Sequence, residues 1–398
     1  MTNFLVFLLG YVLSQFFRAF LAVIAPELGR ELGLTAADLG NISAVWFAVF
    51  AIAQFPVGAA LDRIGPRRTV PALMLAAVAG TLLFARADSR GDCMVAMGLI
   101  GLGCAPVYMG ALYVFGRLYP VSRFALLTSW LLGIGSAGNL LGATPLAFAA
   151  RELGWRPTFL WIAAATLVSA ALILLLVRDP PRAVRPAGPA GPAGTLLGGL
   201  VEIVSIRALW PLIPVTAVSY AIIAGERGLW IGPYLAEVYG LDPIARGNVV
   251  LVMAIAMSIG PLIYGSLDPW IGARKWLIVA GNTLSGLGFI ALWLFPKPEL
   301  AIVTAMIAAL GGVGMTYGVL MAHGRSYFPE HLLGRGITFM NFLFIGGAVV
   351  LQPASGAYVQ ALQARGLPPV DIYANLHLAF GLALLATTAI YLWAKEER

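Results

Sequence analysis

Long apolar runs without a charged residue recur along the whole sequence and limit the fold more than any other feature. Each run is about 20 residues long, the length that an α-helix needs to cross a hydrocarbon core of about 30 Å. The runs lack the alternation of polar and apolar residues that marks the strands of a membrane barrel. Hydrophobic residues make up 60% of the chain and charged residues 11%, which excludes an ordinary soluble domain. The sequence therefore predicts an all-α membrane protein.

Twelve membrane-spanning helices can be placed on these runs, each boundary being accurate to a few residues. Between the sixth and seventh runs the chain is rich in Pro, Ala, Gly and Arg, a composition typical of a linker. We therefore expect a six-helix half at 1–178, a cytoplasmic linker at 179–208 and a second six-helix half at 209–398. The predicted spans are 4–26, 39–61, 69–87, 93–115, 124–148, 157–177, 209–235, 247–267, 275–295, 300–322, 335–360 and 374–394.

The two predicted halves are copies of each other at an offset of 207 residues. The clearest copy is a charged turn at 58–68, between the second and third spans, which recurs at 265–275. A duplication of this kind independently requires six spans on each side of the linker and predicts pseudo-symmetric halves. The aligned pairs are Gly58 and Gly265, Ile64 and Ile271, Gly65 and Gly272, Arg67 and Arg274, Pro26 and Pro233, Gly33 and Gly240, and Gly40 and Gly247.

The basic residues predict the orientation of the chain. Fifteen of the lysines and arginines fall on the side of the spans that carries the charged turn, and eight fall on the opposite side. By the positive-inside rule the charged turn and both termini are cytoplasmic. The net charge of +7 is therefore a topology signal, and without a clustered basic face it predicts no nucleic-acid partner. Short tails and compact loops favour the inner membrane of a bacterium.

The first charged turn, Gly58-x-x-Leu-Asp-Arg-x-Gly-x-Arg-Arg68, resembles the signature loop of the major facilitator superfamily. Together with the six-plus-six plan, it identifies the chain as similar to this family over nearly its whole length. The resemblance implies two six-helix halves that transport a solute by alternating access, and it implies a transporter rather than an enzyme. No cofactor and no metal site are expected, since Cys93 and Cys104 have no metal-ligand spacing. We expect a monomer in the lipid bilayer.

An acid at the cytoplasmic end of a span can accept hydrogen bonds from a helix N-terminus, where the helix dipole is positive. We therefore expect the loop to latch the cytoplasmic side closed by contact with the other half, at the helix that begins near Arg335. Pro269 and Trp270 replace the Asp-Arg pair in the second copy, which predicts a weaker latch there. The predicted latch residues are Gly58, Asp62, Arg63, Gly65, Arg67 and Arg68, with Asp268 and Arg274 in the second copy.

Three ionisable residues lie well inside predicted spans: Arg18, Glu226 and Arg227. An arginine at the centre of a span costs about 2.5–3.5 kcal/mol on insertion scales, so such residues usually face a cavity. Arg18 shares a helical face with polar residues and is predicted to be the main anchor for substrate, with Arg227 or Glu226 contributing from the other half. The other predicted substrate-binding residues are Tyr11, Ser14, Gln15, Tyr108, Asn139, Trp230 and Asn341.

An arginine in each of the first and seventh spans resembles the phosphate-binding pair of the organophosphate:phosphate antiporters. The repeat, however, places Gly225 and not Arg227 opposite Arg18. Two residues correspond to about 200° of helix, so the two arginines match only if the seventh span is irregular at Gly225 or Gly228. Since a guanidinium binds either carboxylate or phosphate bidentately, the expected substrate is a small organic anion, either a carboxylate or an organophosphate.

The alternative function is proton-coupled efflux of a hydrophobic or cationic compound, with Glu226 as the attracting charge. Many relatives with proton coupling carry an arginine early in the fourth span, where this chain has Met97, and this departure counts against a drug/proton antiporter. Glu226 is the only carboxylate in the core of a predicted span and therefore the only candidate proton carrier. A coupling proton or a counter-anion thus both remain open partners beside the anionic substrate.

Overall fold

The computed structural model describes residues 2–179, 202–329 and 332–395, and these contain helices and no strand. In this part of the chain 11 helices are long and apolar enough to cross a membrane, and a bent pair of helices brings the number of spans to 12. The prediction of twelve membrane helices is confirmed. Residues 180–201, most of the predicted linker, lie outside the described residues.

The described helices fall within the predicted spans, several of which contain more than one helix. They are α1 (Thr2–Phe16), α2 (Leu21–Leu32), α3 (Ala36–Arg63), α4 (Pro66–Ala85), α5 (Arg90–Leu118), α6 (Val121–Gly135), α7 (Ala137–Leu141), α8 (Thr144–Leu153), α9 (Trp155–Leu176), α10 (Leu212–Gly225), α11 (Ile231–Tyr239), α12 (Pro243–Ile271), α13 (Arg274–Leu294), α14 (Leu300–Val313), α15 (Tyr317–Ser326), α16 (Leu333–Ala364) and α17 (Pro369–Tyr391), with a short 3₁₀ turn at Arg207–Leu209.

The first and seventh spans are both interrupted near their middle. Residues 17–20 form a turn between α1 and α2, and the two helices meet at a bend of 48°. Glu226–Trp230 form a π-helical segment between α10 and α11. Irregular backbone at membrane depth is tolerated only where it is buried in protein or lines a cavity. The interruptions therefore mark the interior of the protein rather than its lipid-facing surface.

Equivalent glycines in the two halves adopt equivalent conformations. Gly33 and Gly240 end α2 and α11 with φ angles of 62° and 64°. Gly65 and Gly272 lie in the two charged turns with φ angles of 96° and 64°. Because a residue with a Cβ rarely adopts positive φ, glycine is required at these four positions. The internal duplication seen in the sequence is thus repeated in the backbone of both halves.

The second and eighth spans begin with caps at equivalent positions of the repeat. Thr35 and Asp38 form a capping box at the start of α3. At the equivalent position Asp242 accepts hydrogen bonds from the N–H groups of Ile244 and Ala245, at 2.8 and 3.0 Å. The bond from Ala245 is the largest of the effects that hold the pKa of the Asp242 carboxyl below its ordinary value. Both caps satisfy N–H groups that the first helical turn leaves without a partner.

The described chain divides into two compact units by its internal contacts. The first unit contains Met1–Ala183 together with Arg227–Leu251 and Gln352–Gln360, and the second contains Val184–Glu226, Val252–Leu351 and Ala361–Arg398. One end of the seventh, eighth and eleventh spans therefore belongs to the same unit as the first six spans. The second unit has an apolar core of its own, which includes Leu212, Ile278, Leu320, Phe344 and Tyr391.

In the first unit, α3 and α16 approach each other through two glycines. A Cβ atom on Gly40 would lie 2.5 Å from the carbonyl oxygen of Gln352, and one on Gly356 would lie 2.7 Å from the carbonyl oxygen of Ala36. Contacts this short leave no room for a side chain on either helix. Glycine at both positions therefore permits direct backbone packing between the second span and one end of the eleventh.

We expect Gly40→Val to destabilise the protein, because the added side chain must push α3 away from α16. Overpacking of this kind costs about 1–3 kcal/mol. The thermal unfolding midpoint of the detergent-purified protein measures the effect. Gly133→Val is the matched control, since a Cβ at Gly133 has no heavy atom within 4 Å. Equal unfolding midpoints for the two variants would contradict the close packing.

Candidate functional site

Arg18 lies in the turn that interrupts the first span, at residues 17–20. Its guanidinium carbon stands 4.8 Å from the ring centroid of Phe50 and 5.3 Å from that of Trp46. The side chain is half-buried, and its Nε atom is buried without a hydrogen-bond partner among the described residues. Two aromatic faces therefore hold the cation in place by cation–π contact, and the guanidinium keeps donor capacity for a further partner.

Arg227 lies in the π-helical segment of the seventh span and is 5% exposed. Its Nη2 atom donates a hydrogen bond of 2.8 Å to the side-chain oxygen of Asn139, which stands on the short helix α7. A π-helical segment carries i→i+5 hydrogen bonds and changes the helical register of the residues that follow. This is the irregularity at Gly228 that Arg227 needs to face in the same direction as Arg18.

The π-helical segment packs directly against the interrupted part of the first span. A Cβ atom on Gly228 would lie 3.3 Å from the carbonyl oxygen of Arg18, and one on Gly232 would collide with the carbonyl group of Ala22. Arg18 and Arg227 therefore stand on adjacent backbone segments of the first unit. With Asn139 they make an electropositive region in the interior of the spans, which we call the arginine site.

Tyr11 and Gln15 of α1 lie on the same helix contact as Asn139. A Cβ atom on Gly138, the residue before Asn139, would be 2.9 Å from the Cβ of Gln15. The rings of Tyr11 and Tyr108 have centroids 5.3 Å apart. The structure thus brings three of the predicted polar residues, Tyr11, Gln15 and Asn139, together where α1 meets α7, with Tyr108 stacked beside them.

Two other predicted substrate-binding residues of the first unit are used in helix packing. Trp230 is 1% exposed, and its indole N–H donates a hydrogen bond of 2.9 Å to the hydroxyl of Ser355. Ser14 is 2% exposed, and its hydroxyl contacts the thiol of Cys104. These contacts assign both side chains to interfaces between helices in the described conformation.

The remaining predicted residues belong to the second unit. Tyr317 donates a hydrogen bond of 3.3 Å to the side-chain oxygen of Asn341, and the ring of Tyr220 lies 6.2 Å from that of Tyr317. Glu226 is fully buried, with its Oε1 atom 3.5 Å from the Nε2 atom of His377. Glu226 and Arg227 are consecutive in sequence but contact different partners.

The first charged turn is held by Asp179, a residue that the sequence analysis did not select. The backbone N–H of Arg67 donates a hydrogen bond of 2.8 Å to the Asp179 carboxylate, and the Arg67 Nε atom donates one of 2.9 Å to the Leu174 carbonyl. A Cβ on Gly65 would be 2.7 Å from that carboxylate. The acid therefore sits at the N-terminus of α4, where the helix dipole favours a negative charge.

Asp62 is exposed and makes no hydrogen bond or ion pair with any residue that the structure describes. Arg63 and Arg68 are exposed beside it, and Gly58 packs on the methyl group of Met109 at 4.0 Å. The side chain of Arg335, at the predicted contact in the other half, lies outside the described residues. The latch in the first charged turn stays a prediction.

In the second copy of the turn the acid contacts a base of the same turn. The Nε atom of Arg274 donates hydrogen bonds of 2.9 and 3.0 Å to the two carboxylate oxygens of Asp268. Asp268 is one residue out of register with Asp62 in the repeat. A carboxylate already paired with its own turn has less capacity to bind another helix, in line with the weaker latch expected there.

A buried ion pair between Glu27 and Arg246 was missed by sequence reasoning. Arg246 is 2% exposed, and its Nη2 atom binds the Glu27 carboxylate. Next to it, the hydroxyl of Thr144 donates a hydrogen bond of 2.9 Å to Asn248. The sequence analysis counted Arg246 only as a loop cation. The one signal in the sequence was the adjacent Gly247-Asn248, the repeat of Gly40-Asn41.

The comparisons with known proteins agree with this architecture. The family model of the Major Facilitator Superfamily matches residues 7–353. The chain belongs to the Major Facilitator Superfamily. A solved structure of a bacterial homolog of the human lysosomal transporter Spinster superposes with a TM-score of 0.78 at 18% identity, over 98% of this chain and 96% of that one, which shows the shared fold.

Two curated relatives carry substrate names. A gentisate transporter of Corynebacterium glutamicum is 25% identical over 84% of this chain and 75% of its own length. Monocarboxylate transporter 11 of Mus musculus is 30% identical over 88% of this chain and 75% of its own length. Since the family and these relatives are transporters, this superfamily member is an integral membrane transporter of small molecules and not an enzyme.

For this transporter we expect Glu27→Gln to lower the thermal unfolding midpoint. The substitution leaves the buried guanidinium of Arg246 without a counter-charge, and breaking a buried pair in this way costs about 3–5 kcal/mol. Glu152→Gln is the matched control, because Glu152 is 55% exposed where it faces Arg151. Removing both charges in Glu27→Leu/Arg246→Met is expected to recover part of the loss. A Glu27→Gln midpoint equal to that of Glu152→Gln would show that the pair contributes nothing.

Proposed function

We propose that the protein is a secondary active transporter that moves a small organic anion by alternating access, with a carboxylate as the favoured substrate. The observation that carries this proposal is the arginine site. Two guanidinium groups, Arg18 and Arg227, stand on adjacent backbone segments in the interior of the spans. Neither residue is needed there to make a helix, and each is costly at that depth.

The charges of the arginine site support an anionic substrate. Two neighbouring cations repel each other, and Asn139 supplies a hydrogen-bond acceptor to Arg227 without a compensating negative charge. A bound carboxylate would supply that charge and accept two parallel hydrogen bonds from a guanidinium fork. Phe50 and Trp46 beside Arg18 offer apolar surface to the organic part of such a ligand.

The names of the relatives favour a carboxylate over an organophosphate. One relative is called a gentisate transporter and another a monocarboxylate transporter, and both names denote carboxylates. The phosphate-binding resemblance rests on the two arginines alone, which do not occupy equivalent positions of the repeat. The competing proposal, efflux of a cationic compound, relies on Glu226 as the attracting charge, and that carboxylate lies against His377.

The proposed mechanism uses the two predicted halves, 1–178 and 209–398, which would rock around a midplane site, joined by the linker at 179–208. The Glu27–Arg246 pair, on the side predicted to be extracellular, would separate when that side opens. The loop at 58–68 would latch the other side. We further propose a monomer in the inner membrane of a bacterium, with both termini in the cytoplasm and no cofactor.

We expect Arg18→Ala to abolish binding of the transported anion, because the lost charge-assisted hydrogen bonds contribute about 1.5–3 kcal/mol, or roughly 10- to 150-fold in Kd. The measurement is the ligand-induced thermal shift of the purified protein with gentisate, tartrate, lactate, glycerol 3-phosphate and nitrate. A ligand that binds the folded state raises the unfolding midpoint by mass action. Arg227→Ala is expected to act in the same way, and Asn139→Ala more weakly.

Arg151→Ala is the matched control, since this arginine is 56% exposed outside the site. Its thermal shifts should equal those of the unmodified protein. The anion proposal is wrong if no anion shifts the midpoint, or if the shift survives in both Arg18→Ala and Arg227→Ala. A shift with glycerol 3-phosphate alone would replace the carboxylate by an organophosphate.

Asp62→Asn tests the latch. We expect it to slow the conformational exchange and to shift the resting population toward the state that is open to the cytoplasm, because an amide binds a helix N-terminus more weakly than a carboxylate does. Labelling of single cysteines placed on either side of the membrane measures the population. Asp88→Asn, at another exposed acid, is the control. Unchanged labelling on both sides would refute the latch.

A further inference from the structure

Glu226 and His377 meet in the interior of the second unit. Their side chains are each 1% exposed, and the Oε1 atom of Glu226 lies 3.5 Å from the Nε2 atom of His377. Glu226 follows α10 directly, and His377 stands eight residues into α17. At 1.5 Å per residue, His377 is about 12 Å along the helix from its start. An acid and a base thus face each other well below the ends of their spans.

The carboxylate of Glu226 lacks the hydrogen bonds that a buried charge needs. Both of its oxygens are buried, and neither has a hydrogen-bond partner among the described residues. A buried carboxylate without compensation is strongly disfavoured in its charged form. With one proton shared between Glu226 and His377, the pair is electrically neutral, either as acid and neutral imidazole or as carboxylate and imidazolium. With no proton, it would leave one uncompensated negative charge.

The surroundings of the pair leave it as an isolated titratable unit. From α13, Phe289 places its ring 5.9 Å from the imidazole of His377. On α17 the nearest titratable residue by helical position is Tyr373, one turn earlier, which is 1% exposed. Arg227, the next residue after Glu226, directs its guanidinium to Asn139. The other Asp, Glu, Lys, Arg and His residues described in the second unit lie at or near the ends of helices or in connections.

We propose that Glu226 and His377 together bind one exchangeable proton, and that this proton is the coupling ion of the transporter. The inference rests on the proposed anion transport. When the pair is open to water on one side, a proton binds Glu226 Oε1 or His377 Nε2. When it is open to the other side, that O–H or N–H bond breaks and the proton leaves. No other bond changes.

The charge balance gives the direction of coupling. While the pair is buried it holds its proton, because the deprotonated pair carries a negative charge away from water. The halves therefore exchange with the proton bound and not without it. One proton moving with one carboxylate carries no net charge across the membrane. The pair thus makes the protein a proton–anion symporter rather than an exchanger of one anion for another.

The first experiment uses proteoliposomes that contain the full-length protein, an acidic exterior and labelled gentisate as the probe. The unmodified protein is expected to accumulate gentisate above its equilibrium level. Glu226→Gln and His377→Gln are expected to lose this accumulation while gentisate–gentisate exchange continues, since an amide can neither release nor replace the proton. Glu299→Gln, at an exposed glutamate that precedes α14, is the matched control and should accumulate gentisate normally. Full accumulation by Glu226→Gln would overturn the proposal.

The second experiment needs no substrate and therefore separates this proposal from the proposed function. A difference titration of the detergent-purified protein against Glu226→Gln/His377→Asn counts the protons released between about pH 4 and 9, the range that spans the ordinary pKa values of glutamate and histidine. The unmodified protein is expected to release more protons than the double variant, including one that the pair shares at neutral pH. A flat difference would show that the pair exchanges no proton, whatever anion the protein carries.

Discussion

The cost of placing a charge in an apolar interior is the constraint on which the rest of this structure depends. A chain that is 60% hydrophobic can carry ionisable groups at membrane depth only where other groups compensate them. Each of the deeply placed charges has such a neighbour in the structure. Arg18 rests on Phe50 and Trp46, Arg227 binds Asn139, and Glu226 faces His377. The partial character of this compensation leaves each of them able to take a ligand or a proton.

The interrupted helices make this placement possible. A regular helix would put Arg18 and Arg227 on different faces, because they are two residues apart in the register of the repeat. The turn at 17–20 and the π-helical segment at Glu226–Trp230 change that register in the middle of their spans. The same segment separates Glu226 from Arg227, so that one contacts His377 and the other Asn139. One local irregularity thus serves both the anion and the proton proposals.

Much of the fold could be predicted from the sequence, because the membrane leaves few choices. The apolar runs predicted twelve spans, and the offset of 207 residues predicted matching halves. Gly33 and Gly240 adopt the same left-handed conformation as a result. The deep charges Arg18, Glu226 and Arg227 were also visible, since a charge stands out in an apolar run. Glu27, Arg246, Asp179 and His377 were not, because a residue near the end of a span looks the same whether it is solvated or paired.

The sequence by itself determined the helical membrane architecture, the duplication and the presence of deep charges, since these depend on local composition and spacing. Only the tertiary structure decided which side chains meet. Asn139 reaches Arg227 across 88 positions of the chain, and Glu27 reaches Arg246 across 219. Contacts of that range depend on how helices pack and where they bend, and helical periodicity within one span carries no information about its neighbours. The physical reason is that burial, and with it the strength of every charge, is a property of the packed bundle.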